Sequence, residues 1–265
     1  MNILNSLKGA FALLRKEPKV FIPRFTTTLL YTLYTIYSVM LTADLYLNQS
    51  DPAYLESNAG RIILLVVSSI VLFLIDIVSY AMYPKIVEDH KRGGKISLSE
   101  ALSSALGIWR IVGALAILIF VLLFLAEILI GMSLFYFMAT GSKIPVLLSV
   151  LIVLALIIIF GILVFSVVPV AVLEKKGAYE SFRKSIAMGL KHKKELFQVN
   201  IFFILLVLPT TILISLTALK GEFSYPAAIA FAIVRFLQAM VYTYVSVSNP
   251  YIYMDLPEVN KSTPE

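Results

Sequence analysis

The sequence predicts an all-α polytopic membrane protein. It has six transmembrane helices in three tandem repeats, each an interfacial amphipathic helix followed by a transmembrane hairpin, with pseudo-threefold packing. Three observations predict this. The 265 residues are 60% hydrophobic and 14% charged, with a mean hydropathy of +0.92, where soluble domains carry about 25% charge. Apolar stretches of about 20 residues or more, the length that crosses hydrocarbon, occur six times. One short motif closes every second stretch.

The first unit opens with "SLKGAFALLRKEPK" from Ser6, where Leu4, Leu7, Phe11 and Leu14 share one helical face. Span one follows, about Val20–Leu47, and span two is about Ile62–Tyr83. The second unit opens with "SLSEALSSALGIWR" from Ser97. Ser97 and Glu100 form a capping box there, and Leu98, Leu102, Ala105 and Trp109 share a face. Spans three and four are about Ile111–Met138 and Ile144–Leu173, long enough to tilt. The third unit opens with "GAYESFRKSIAMGLKHKK" from Gly177, with Tyr179, Phe182, Ile186 and Leu190 on one face. Spans five and six are about Leu196–Ala218 and Pro226–Tyr253. Backbone groups in lipid must bond internally, so such spans are helices; ten-residue strands of alternating polarity are absent from the sequence.

Every even span ends in proline, four residues and a carboxylate: Pro84 with Asp89, Pro169 with Glu174, Pro250 with Asp255. The motif recurs at intervals of roughly 80–90 residues, an internal repeat. Phe11, Leu102 and Phe182 take equivalent places in the three amphipathic segments. The chain therefore reads as a single membrane domain with repeats at about 1–89, 90–174 and 175–255, and residues 256–265 as a disordered tail. An even number of spans per unit keeps the three units in one orientation, as in parallel-repeat membrane proteins. Each proline is expected to end or kink its helix, and each carboxylate to cap the next helix or pair with a neighbouring unit's Lys or Arg.

Charge sets the orientation. Lys8, Arg15, Lys16, Lys19 and Arg24 precede span one; Lys85, Lys91, Arg92, Lys95 and Arg110 lie between spans two and three. Lys175, Lys176, Arg183, Lys184, Lys191, Lys193 and Lys194 lie between spans four and five. The opposite loops hold only Arg61, Lys143 and Lys220. Both termini are then cytoplasmic in a multi-pass cell-membrane protein. The basic region before span one is too long and span one too extended for a cleaved signal peptide. The net charge of +6 sits between apolar spans, which points to the lipid bilayer and anionic lipid headgroups as partners, and away from nucleic acid. Lys191, Lys193 and Lys194 are the expected anionic-lipid patch, and partner membrane proteins are a further possibility.

The stretch "VVPVAVLEKKGAYESFRKSIAMGLKHKKELF", Val167–Phe197, resembles a broad group of prokaryotic six-helix membrane proteins. That group includes the membrane domain attached to some glycerophosphodiester phosphodiesterases and related uncharacterised inner-membrane families. Its pattern of proline, acidic residue, small residues on a helix and a basic patch maps to Pro169, Glu174, Ala178, Ser181, Ser185 and Lys191–Lys194. Elsewhere the similarity is topological. The phosphodiesterase's catalytic barrel has no counterpart in this sequence, so the resemblance implies a membrane scaffold or accessory unit and brings no substrate.

Charges at membrane depth mark functional candidates. Three occur: Asp76 in span two, Glu127 in span three and Arg235 in span six. At 1.5 Å per residue they lie roughly 15–22 Å deep, and an ion pair of Arg235 with Asp76, Glu127 or both is the simplest arrangement. Helical stripes extend a polar track: Tyr31 and Tyr34 with Thr27 and Ser38 on span one, Tyr80 on span two, and Gln238, Tyr242 and Asn249 on span six. The track is either polar packing between helices or a path for a small polar solute or lipid. There is no cysteine, and His90 and His192 sit among loop charges without partners at metal spacing. No hydrolase, protease, nucleotide or dinucleotide motif appears. The expectation is a non-enzymatic protein without catalytic residues, metal or cofactor. It binds or organises lipids or partner proteins at the cytoplasmic face; the alternative is a transporter or channel.

Overall fold

A computed structural model describes residues 3–48, 50–218 and 225–257. Among these the regular elements are all helical. In chain order they are α1 (Ile3–Lys16), α2 (Ile22–Leu47), α3 (Pro52–Ser57), α4 (Ala59–Ala81), α5 (Tyr83–Lys91) and α6 (Leu98–Gly107). There follow α7 (Trp109–Thr140), α8 (Ile144–Val164), α9 (Val167–Leu173), α10 (Ala178–Lys191), α11 (Lys193–Ala218) and α12 (Tyr225–Met254).

Five stretches are long and apolar enough to cross a membrane: Ala59–Lys91, Trp109–Thr140, Ile144–Leu173, Lys193–Leu216 and Pro226–Met254. Their windows are only 6–28% buried inside the protein, so their apolar side chains face outward, as lipid-facing helices require. α2 has the length, 26 residues, but its threonines and tyrosines lower its hydropathy. Its hydroxyls turn back onto its own carbonyls: Thr27 donates to Arg24, Thr32 to Thr28 and Thr35 to Tyr31, at 2.7–3.1 Å. The helix hides polar groups it carries in excess.

The core lies at one end of the bundle, here termed the basal end. Ala10, Leu13, Val20, Ala81, Tyr83, Ile86, Val87, Ala101 and Ala105 are fully buried there. α1 packs against α12, α6 against α4 and α5, and α10 against α8 and α9. α5 touches both α9 and α12. Polar bonds tie the same ends: Lys91 to Asp255 at 2.7 Å, Ser6 Oγ to Asp255 at 2.5 Å, and the Tyr253 hydroxyl to Glu174. The three amphipathic helices thus share the basal end, and both described termini lie there.

The buried face of each of those helices is largely not the one that carries its large apolar residues, Leu14 of α1 being an exception. Ser6, Ala10 and Leu13 of α1 are buried, while Leu4 and Phe11 are exposed. In α6, Ala101 and Ala105 are buried and Leu102, Leu106 and the following Trp109 are exposed. In α10, Ser181, Ser185, Met188 and Gly189 are buried and Tyr179, Ile186 and Leu190 exposed. Small residues let helices approach closely within a membrane protein, so the small face packs and the large apolar face turns outward. The Ser97 cap is present: its Oγ accepts from the Glu100 amide at 3.4 Å.

The prolines also divide. Pro84 lies in the first turn of α5, and Pro169 is the third residue of α9, each just past a helix break. Pro250, expected to end or kink its helix, lies inside the continuous helix α12. Leu256, placed in the expected tail, is fully buried beside Val170, Met188 and Tyr253. Residues 258–265 lie outside the described residues.

Candidate functional site

α2, α4 and α12 enclose a column of polar side chains. At its base Arg24, one turn into α2, is 9% exposed. It donates to Asp76 of α4, and through Nε and Nη2 to Ser246 Oγ of α12 at 3.2 and 3.1 Å. Its guanidinium also lies 5.9 Å from the Tyr80 ring centroid, a cation–π arrangement. One cation therefore joins three helices. The planar fork of arginine suits this, because it offers several donors in fixed directions.

Arg235 stands three turns away along α12, about 16 Å from Ser246. It donates to Gln238 at 2.9 Å and to Thr35 of α2 at 3.4 Å, and lies 5.4 Å from the Phe231 ring centroid. Gln238 continues the chain by donating to the Tyr242 hydroxyl at 3.3 Å. Tyr31 and Tyr242 lie within electrostatic reach of Asp76 and both arginines. Tyr34 donates to the Leu65 carbonyl at 3.3 Å.

The expected cluster of Asp76, Glu127 and Arg235 is not formed. Asp76 is paired with Arg24, Arg235 with neutral partners, and Glu127 is exposed on α7 with no ion pair among the described residues. The sequence counts Arg24 only toward orientation. The signal lies in the helical stripe: Thr27, Tyr31, Tyr34 and Ser38 extend back by one turn to residue 24.

Asn249, also expected on the track, faces elsewhere and donates to the Phe165 carbonyl at 3.0 Å. Pro169 has no amide hydrogen to offer that carbonyl four residues before it. A side chain from α12 thus satisfies the group that proline leaves open in α8–α9.

The three motif carboxylates make bridges at the basal end. Asp89 pairs with Lys85 of its own helix at 2.8 Å, with its second oxygen buried and unbonded among the described residues. Glu174 takes Lys184 of α10 at 2.5 Å, Lys176 at 3.2 Å and the Tyr253 hydroxyl. Burial resists ionisation of Glu174, but those hydrogen bonds outweigh it and hold its pKa below the ordinary glutamate value. Asp255 takes Lys91 and Ser6. None caps a following helix. Lys191, Lys193 and Lys194 lie exposed where α10 turns into α11. Among the described residues no group of three or more His, Asp or Glu could hold a metal ion. The chemistry on view is charge neutralisation in the column and cation display at the base. Compared with known protein families, curated proteins and solved structures, the chain has no match.

Proposed function

We propose that this protein is a six-span, non-enzymatic scaffold of the cell membrane that gathers anionic lipid headgroups, and partner membrane proteins, at the cytoplasmic face. The observation that carries this is the double character of the basal end. α1 and α10 expose large apolar side chains beside a surplus of Lys and Arg, and α6 exposes Leu102 and Leu106 between the flanking Lys95 and Arg110. A helix lying in the interface buries such residues at the acyl boundary while its cations meet headgroups. The bilayer is continuous with the spanning helices and carries the complementary charge.

α2 serves as the sixth span in this reading, its hydroxyls bonded internally and its Arg24 paired. Three repeats are supported by the cyclic contacts: each amphipathic helix packs on the end of the preceding unit's second span, and α1 closes the circle on α12. Residues Ala10, Ala101 and Ser181, each just before an equivalent large apolar residue, are all fully buried. The asymmetry of Lys and Arg orients the basal end to the cytoplasm.

The test is lipid enrichment after reconstitution into nanodiscs of mixed zwitterionic and anionic lipid. Each lysine near an anionic surface contributes about 1 kcal/mol. The K191Q/K193Q/K194Q variant is expected to retain severalfold less anionic lipid than the parent. Equal enrichment in both would overturn the headgroup role.

Transport along the column is the second reading, favoured by the buried Nε of Arg235, which has no hydrogen-bond partner among the described residues. The closed Arg24–Asp76–Ser246 layer at the column's base weighs against it. Solute uptake by proteoliposomes that is lost in R235Q would favour transport.

A further inference from the structure

A cavity of about 630 Å³ opens at the basal end, between the α6–α7 junction and the loop from α9 into α10. Its size falls within the range of small-molecule sites. Its cations are Arg110, Lys175 and Lys176, and no carboxylate lines it. Its apolar wall includes Ile111 and Ala171, 4% and 1% exposed. Trp109, 66% exposed, also lines it, with the Arg110 guanidinium 5.6 Å from its ring centroid.

Two features set this place apart from an ordinary basic surface. Neither Arg110 nor Lys175 forms an ion pair among the described residues. Lys176 shares Glu174 with Lys184 and Tyr253, so that carboxylate is already heavily committed. Lys175 also has φ of 54°, the one non-glycine residue with positive φ among the described residues. A left-handed lysine is costly, and such strain gathers where a side chain or backbone must be aimed.

We propose that this cavity binds a phosphate group. Three cations from two separate segments suit a tetrahedral dianion with several oxygens; arginine supplies a fork and lysine point charges. The phosphate belongs either to a lipid headgroup or to a soluble phosphate ester. The lipid source rests on the interfacial placement proposed above; the phosphate site itself does not.

The experiment uses the full chain purified in nonionic detergent and isothermal titration with two probes, inorganic phosphate and short-chain phosphatidic acid, with short-chain phosphatidylcholine as a control. Saturable one-to-one binding is expected for at least one phosphate probe. R110Q and K175Q each weaken it about tenfold, the loss of one charge-assisted contact. R110K retains part of the affinity. Gly107 also lines the cavity, and a Cβ added there meets nothing within 4 Å. G107L therefore tests occlusion without altering charge, and weaker binding is expected. Competition by inorganic phosphate shows that phosphate alone suffices; binding of phosphatidic acid alone shows a lipid-tethered headgroup. Non-saturable binding, or affinity unchanged in R110Q, K175Q and G107L, overturns the site. If the site is overturned in that way while lysine-dependent lipid enrichment persists, the cavity fails alone and the headgroup reading stands. A cavity that binds while K191Q/K193Q/K194Q enriches lipid normally would sink the headgroup reading of the patch alone.

Discussion

Arg24 is nearly buried and has one carboxylate partner, Asp76. Removing that carboxylate leaves a guanidinium whose remaining contacts are a serine hydroxyl and a tyrosine ring. Leaving a buried charged donor unsatisfied costs about 1–3 kcal/mol or more. D76N is therefore expected to melt earlier in detergent than the parent, and R24M/D76L to recover part of the loss, because it removes both charges together. Identical melting of D76N and the parent would show that the pair contributes nothing. Glu174 carries a pH signature. Its folded pKa lies below the ordinary value of 4.5, so its stabilisation is fully present above that value and disappears as pH falls through the lower, folded pKa. The melting difference between the parent and E174Q is expected to be largest near neutrality and to shrink on acidification. A constant difference across that range would count against it. The sequence shows the Thr27–Tyr31–Tyr34 stripe directly, because a helical period is local. It does not show which carboxylate meets which arginine, because that depends on how α2, α4 and α12 align in height.

At the scale of elements, the sequence locates all three amphipathic helices and the large apolar face of each, but not which face packs inside the protein. In a bilayer the lipid is as apolar as leucine, so close approach between backbones decides the packing face. Gly189 shows this most clearly. A Cβ there would fall 2.5 Å from the Ile162 carbonyl oxygen, a backbone atom of α8. G189A is expected to push α10 off α8 and cost about 1–3 kcal/mol, the range for overpacking. Gly113, in the interior of α7, meets nothing within 4 Å. G113A is expected to raise stability by about 0.5–1 kcal/mol through helix propensity alone. The two alanines should shift thermal melts in opposite directions; a shift of the same sign would contradict the packing described.

For the whole molecule, composition and length make the helical membrane class legible, and the basic bias makes a two-ended molecule legible. The contacts that join the ends are not, since Ser6 and Asp255 lie at nearly opposite extremes of the sequence and no local pattern links them. The chain contains no cysteine, so pairs can be introduced without a background. S6C/D255C is expected to cross-link within one chain through a short bismaleimide, and S6C/K143C to remain unlinked. The reverse result would refute a shared basal end.

The seating of α1 on α12 has a consequence for how the protein is made. Within this sequence α1 precedes every long apolar stretch and docks on α12, the last of them. Until α12 is made, the serine and alanine face of α1 lacks the surface it is buried against.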